Sequence, residues 1–191
     1  MALNEPVRSR MDRIARQAFS ASHVYAWQEP TLCHTDMSIV VRASTRKASP
    51  GGDVNVALSI VDLMNLWKKV EGKKVKSFCL GECSSAGLTI LSSCDNEFRE
   101  CAPNTRFLFH SHFYRVNLRH NLGLEANQQA LLKQWQWFEK AIKQESDGFK
   151  LSDEKIMELR QFGENHSYSL NPNEAKELGI IAKITDMPSI L

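Results

Sequence analysis

The stretch VKSFCLGECSSAGLTILSS, residues 75–93, constrains this chain more than any other. Six strand-like residues meet a glycine and a cluster of small residues, and an apolar run of helical character follows at once. The same alternation recurs along the chain. MSIVVRA (37–43) reads as a strand, and STRKASPGGD (44–53) reads as a turn broken by Pro50 and two glycines. The next run places apolar Val54, Ala57, Leu58, Val61, Met64 and Leu66 near helical spacing. FRECAPNTRFLFHSH predicts a short strand, a turn at APNT and the strand RFLFH. A long helix is expected from Leu124 to about residue 145, and a second begins at Leu151-Ser152, with Ser152 in its cap region. NPNEAKELGIIAKI closes the chain as a capped short helix, a glycine stop and a last strand. Strands and helices alternating at these lengths imply right-handed crossovers and a largely parallel sheet, an α/β fold.

Sites in such sheets lie at the carboxyl ends of strands, where both Gly51-Gly52 and Ser84-Ser85 fall. Acyl transfer needs a hydroxyl whose proton a neighbouring base removes, and backbone N–H donors aimed at the developing oxyanion. A serine at the first turn of a helix has the helix's free N–H groups behind it, and Ser85 fits that position. The alternative is that Ser84 and Ser85 are a helix N-cap and packing residues. Cys83 stands where a G-x-S-x-G elbow has its first glycine, so the motif is incomplete. SPGGDV offers further N–H groups unobstructed by side chains, or is a simple turn with Asp53 as N-cap. Six histidines compete as the base, at 23, 34, 110, 112, 120 and 166. His110 ends a strand, where a parallel sheet delivers residues to its working edge. His110-x-His112 has metal-ligand spacing, but no nearby acidic residue or cysteine completes a ligand set.

Composition narrows the remaining classes. With 191 residues the chain is long enough for one domain with a real core, and a net charge of +2 leaves no footprint for nucleic acid. No apolar run reaches the roughly 18 residues of a membrane span. Arg8, Arg10, Arg13 and Arg16 suit an amphipathic surface helix, since Glu5 and Asp12 argue against a transit peptide. The five cysteines read as reduced, mostly buried thiols of a cytoplasmic protein.

ASPGGDVNVALSIVDLM, GECSSAGLTILSS, APNTRFLFHS and NPNEAKELGIIAKI together resemble the proteolytic subunit of the Clp protease, ClpP, in order and in the interval from Ser85 to His110. The resemblance runs from about Val40 to Ile184, and it implies a ClpP/crotonase-like spiral of ββα units with a protruding long handle helix. It leaves residues 1–36 as a poorly matched N-terminal segment and 37–191 as the ClpP-like serine peptidase domain. It places the nucleophile at Ser85 and the general base at His110, with the N–H groups of Gly52 and Ala86 lining the oxyanion hole. It implies no cofactor and no metal. The expected partners are further copies of the chain in stacked heptameric rings, an AAA+ unfoldase and unfolded polypeptide substrates, with neither nucleic acid nor membrane.

The third triad member departs from the family. The ungapped register from Glu174-Ala175 puts Ser167 where the family has an aspartate, and Glu164 or Asn165 takes that place if the loop shifts. The chain therefore reads as an active peptidase, or as a silent or accessory ring subunit that keeps the fold. An acyl-CoA enzyme of the crotonase superfamily ranks behind both, since it rarely needs a serine followed by a strand-end histidine.

Overall fold

The structure, a computed structural model, describes residues 24–27, 37–42, 53–72, 74–110, 124–161 and 168–186. Within it, β1 (Val24–Trp27) and β2 (Met37–Arg42) run antiparallel, and β2 continues in parallel with β3 (Val75–Leu80). The parallel order then extends through β5 (Arg99–Cys101) to β8 (Lys183–Ile184). These five strands form one sheet in the order β1-β2-β3-β5-β8. The residue pattern alone implied one largely parallel sheet, but a second is present. Its strands are β4 (Glu82–Ser84), β6 (Arg106–Phe109) and β7 (Tyr168–Leu170), with β4 and β6 parallel and β6 and β7 antiparallel.

Among the described residues the chain leaves the first sheet for the second twice. At Gly81 it takes a φ of 81°, a left-handed angle that strains any other residue, and so leaves β3 to begin β4 in the second sheet. Cys101 and Arg106 make the corresponding passage from β5 to β6. Thr105 Oγ1 there donates to the Cys79 carbonyl at 2.9 Å, and the Arg106 N–H to the Gly81 carbonyl at 2.8 Å. Each passage is followed by a helix, which gives the repeated strand–strand–helix unit.

Helix α1 (Val54–Glu71) starts on Asp53, whose carboxylate accepts the Asn55 N–H at 2.7 Å. It stops at Gly72, which is left-handed at φ 63°. Its buried stripe is Ala57, Ile60, Val61 and Met64. Leu66 does not join it: a 45% exposed side chain corrects the expected apolar face, because at 100° per residue it lies two positions past Met64. α2 (Ala86–Ser92) is nearly all buried, packed between α1 and α3 (Leu124–Phe149). α3 runs one turn beyond the expected end. It packs so closely at Gly148 that a Cβ there would lie 2.2 Å from the Ser92 carbonyl oxygen.

Lys150, left-handed at φ 58°, reverses the chain into α4 (Asp153–Gln161), whose first turn donates Lys155 N–H to Ser152 Oγ at 3.1 Å. α5 (Pro172–Glu177) carries a full capping box between Asn171 and Glu174, and Gly179 ends it at φ 72°. The expected closing motif is therefore present in each part. Cys79, Cys83, Cys94 and Cys101 are free and buried, as the composition suggested, while Cys33 lies outside the described residues. Burial pushes the Cys94 and Cys101 thiols up to about 12. Cys79 is raised too, first by its hydrogen bond with Cys83 and then by burial.

Candidate active site

The two expected partners lie just past the carboxyl ends of neighbouring parallel strands. Ser84 stands opposite Leu108 in the β4–β6 register, and the Ser85 N–H continues the ladder to the Leu108 carbonyl at 3.1 Å. Ser85 follows the last residue of β4, and His110 follows the last residue of β6. Both therefore sit where an α/β fold presents its chemistry.

Ser85 occupies the N-cap position of α2 without behaving as a cap. Its φ and ψ are 52° and −115°, and its hydroxyl makes no capping hydrogen bond to the helix. Such angles strain a serine, and an N-cap serine has β-region angles and a hydroxyl that accepts from the second or third N–H. The helix-cap alternative for Ser85 thus fails on both counts. Ser84 lies in β4 and not in the turn, and both serines are buried, Ser85 to 5% exposure. Ala86 is the first residue of α2, so its N–H belongs to the first-turn donors that have no partner within the helix.

The remaining expectations fall elsewhere. Gly52, His112, Glu164, Asn165 and Ser167 lie outside the described residues. Asp53 borders Gly52 and caps α1. Among the described residues, no group of three or more His, Cys, Asp or Glu is placed to hold a metal ion. Likewise, no described helix is long and apolar enough to cross a membrane.

Behind Ser85 and His110 lies a charge pair that the sequence reading missed. Arg160 of α4 and Glu145 of α3 are 1% and 0% exposed. Arg160 Nε donates to Glu145 Oε2 at 2.9 Å, and its Nη2 makes a second contact with Oε1. Thr89 Oγ1 of α2 donates to the same Oε1 at 2.6 Å. The guanidinium also reaches two backbone carbonyls, His110 from Nη1 at 3.3 Å and Ser85 from Nη2 at 3.5 Å. The Phe109 ring lies against it, 5.8 Å from ring centroid to Cζ. A signal existed in the sequence: Glu145 falls between Ala141 and Phe149 on the buried stripe of α3, and Arg160 falls four residues after Ile156. A charge on an apolar stripe is buried and partnered, or the stripe is misread.

Two mixed sheets wrapped by helices, with one long helix extending past the core, define this as an α/β protein of the ClpP fold. Residues 47–188 match the Clp protease family model, and the chain belongs to that family. Among curated proteins it is similar to the ATP-dependent Clp protease proteolytic subunit 3 of Synechococcus sp. (strain CC9605), at 26% identity over 141 residues. The same subunit of Parasynechococcus marenigrum (strain WH8102) is 25% identical over 141 residues. Each alignment covers 74% of this chain but 65% of the relative, so the match spans about two thirds of those proteins. A solved structure of an asparagine-to-aspartate mutant of ClpP1 from Listeria monocytogenes aligns over 96% of this chain and 86% of its own. Its TM-score is 0.60 at 21% identity, which supports the fold.

Proposed function

We propose that this chain is a serine-type peptidase subunit that cleaves peptide bonds of unfolded polypeptides inside an oligomeric chamber. In this reading His110 takes the proton of Ser85 Oγ as the oxygen attacks the scissile carbonyl carbon. The N–H groups of Ala86 and Gly52 hold the oxyanion. His110 then returns the proton to the leaving amine, and water releases the acyl group by the reverse sequence. The observation that carries the reading is the backbone of Ser85: a non-glycine residue at φ 52°, with a hydroxyl that does not cap its helix, just past the end of the strand that pairs with the one leading to His110. Strain of this kind is retained where the surrounding structure over-determines it, and such positions cluster at active sites. The family points to the same chemistry and to ring assembly with an AAA+ unfoldase as partner.

One observation favours a second reading, a silent or accessory ring subunit. In the register from Glu174-Ala175, Ser167 stands where the family has its aspartate, and a triad without its carboxylate loses about four orders of magnitude in turnover. A fluorophosphonate probe separates the two. An active chain is labelled, and Ser85→Ala abolishes both labelling and hydrolysis, the latter by at least about three orders of magnitude. A wild-type chain that assembles but takes no label supports the silent subunit and sinks the peptidase.

A further inference from the structure

Arg160 takes no part in the chemistry above, yet its guanidinium reaches the backbone carbonyls of both Ser85 and His110. The Ser85 carbonyl accepts the Leu88 N–H at 3.0 Å and Arg160 Nη2 at 3.5 Å, while Nη1 of the same planar group reaches the His110 carbonyl at 3.3 Å. Glu145 holds the guanidinium through Nε and Nη2, and Thr89 Oγ1–H in turn holds Glu145. All three side chains are buried, on three different helices.

The carbonyl of Ser85 and the N–H of Ala86 belong to one peptide unit. That unit is planar and trans, so its C=O and N–H point in opposite directions. Anchoring the oxygen on Arg160, behind the strand ends, turns the N–H to the front. A cation on the oxygen also polarises the same amide and strengthens its N–H as a donor. We propose that Arg160, fixed by Glu145, is a positioning residue that sets the plane of the Ser85–Ala86 peptide and so aims the Ala86 N–H. The proposal rests on the reading of Ser85 as nucleophile and Ala86 N–H as oxyanion donor. Its second bond ties the His110 peptide to the same rigid fork, so one group sets the spacing of the two strand ends.

The test uses the assembled full chain with Arg160→Met and Glu145→Gln combined. The pair is then neutral, and the amide oxygen introduced by Glu145→Gln still accepts from Thr89. Three quantities are measured: thermal unfolding, the saturation kinetics of fluorophosphonate labelling, and the crystallographic orientation of the Ser85–Ala86 peptide. The variant is expected to unfold near the wild-type temperature. Its maximal labelling rate should fall about tenfold or more, short of the 10²–10³ lost with a whole oxyanion donor. The half-saturating probe concentration should stay unchanged, and the peptide should rotate. Arg160→Lys, which keeps the charge but loses the fork, is expected to label at an intermediate rate.

An undiminished labelling rate in the folded variant overturns the proposal, and so does an unmoved Ser85–Ala86 peptide, whatever the rate. If wild type takes no label, the peptidase reading fails on its own, and the orientation of that peptide alone decides the role of Arg160.

Discussion

At the carboxyl end of α2 the buried Arg99 lies on backbone carbonyls, and at the amino end the buried Arg160 lies on a carboxylate. Arg99 donates to Cys94 from Nε at 3.1 Å and from Nη2 at 2.9 Å. The same Nη2 reaches the carbonyls of Ser92 at 3.1 Å and Gly148 at 2.6 Å, and the Phe149 ring lies 5.2 Å away. Lys68 adds a second cation there, donating to the Ser93 carbonyl at 2.6 Å. A helix terminus of free carbonyls carries partial negative charge, so Arg99 is met here by backbone carbonyls, while Lys68 also pairs with Asp95 at 3.3 Å. The amino end carries partial positive charge, so a cation set there needs an anion beside it, and Glu145 supplies it. Two arginines of equal burial thus have different replaceability. Arg160 also reaches two carbonyls, at 3.3 and 3.5 Å, but its shorter bonds go to a side chain that can be neutralised together with it, whereas the carbonyls that hold Arg99 cannot.

Arg99→Met should break the contrast hardest. It strips the donor from the carbonyls of Ser92, Cys94 and Gly148, and a loss of about 3–5 kcal/mol in chemical denaturation is expected. A loss below about 1 kcal/mol would mean that this end is held by packing alone. The next effect belongs to the same end and depends on pH. Below pH 9 the Cys94 thiol is neutral folded and unfolded; between about 9 and 12 only the unfolded chain ionises. Stability present below pH 9 is therefore lost as the pH rises, by about 1 kcal/mol at pH 10 for this one thiol. Urea midpoints taken from pH 8 to 10.5 should fall less steeply in Cys94→Ala than in wild type, and parallel slopes would rule the thiol out. The smallest effect is expected at the amino end. The combined Arg160→Met and Glu145→Gln replacement should change stability by less than about 1–2 kcal/mol, because losing a buried pair together avoids stranding either charge. A loss as large as that of Arg99→Met would erase the distinction between the two ends.

Much of this arrangement was legible in the sequence. The helical spacing of Ala57, Val61 and Met64 marked the buried face of α1, and Asn171 with Glu174 marked the start of α5. Both are local signals, since the residues concerned lie within two turns of each other. The strand–turn–helix around Ser85 was legible for the same reason. β4 was not: Glu82-Cys83-Ser84 has no alternating pattern, and it is a strand because β6 pairs with it 24 residues later. β7 is similar, since Tyr168-Ser169-Leu170 takes its extended form from antiparallel pairing with β6. The backbone angles of Ser85 were hidden because glycine is the usual sign of a left-handed residue, and here a serine bears it. Leu66 misled because hydrophobicity alone does not fix a face. Glu145 and Arg160 were hidden because charges on helices are mostly solvated, and only their places on apolar stripes set these two apart.

The reversal at Lys150 has a consequence for how the chain assembles. It makes Glu145 and Arg160 near neighbours in sequence, 15 residues apart. Thr89 is 56 residues from Glu145, and Ser85 is 75 from Arg160. Closing the shorter loop costs about 1.4 kcal/mol less entropy than closing the longest. The helical hairpin of α3 and α4 is therefore expected to join its charges early, while the strand end that carries Ser85 docks late. Refolding kinetics check this order: Arg160→Lys should slow refolding more than it speeds unfolding, and the reverse would place the pair after the transition state. In that order of events the strained backbone of Ser85 is bent last, against a template already built.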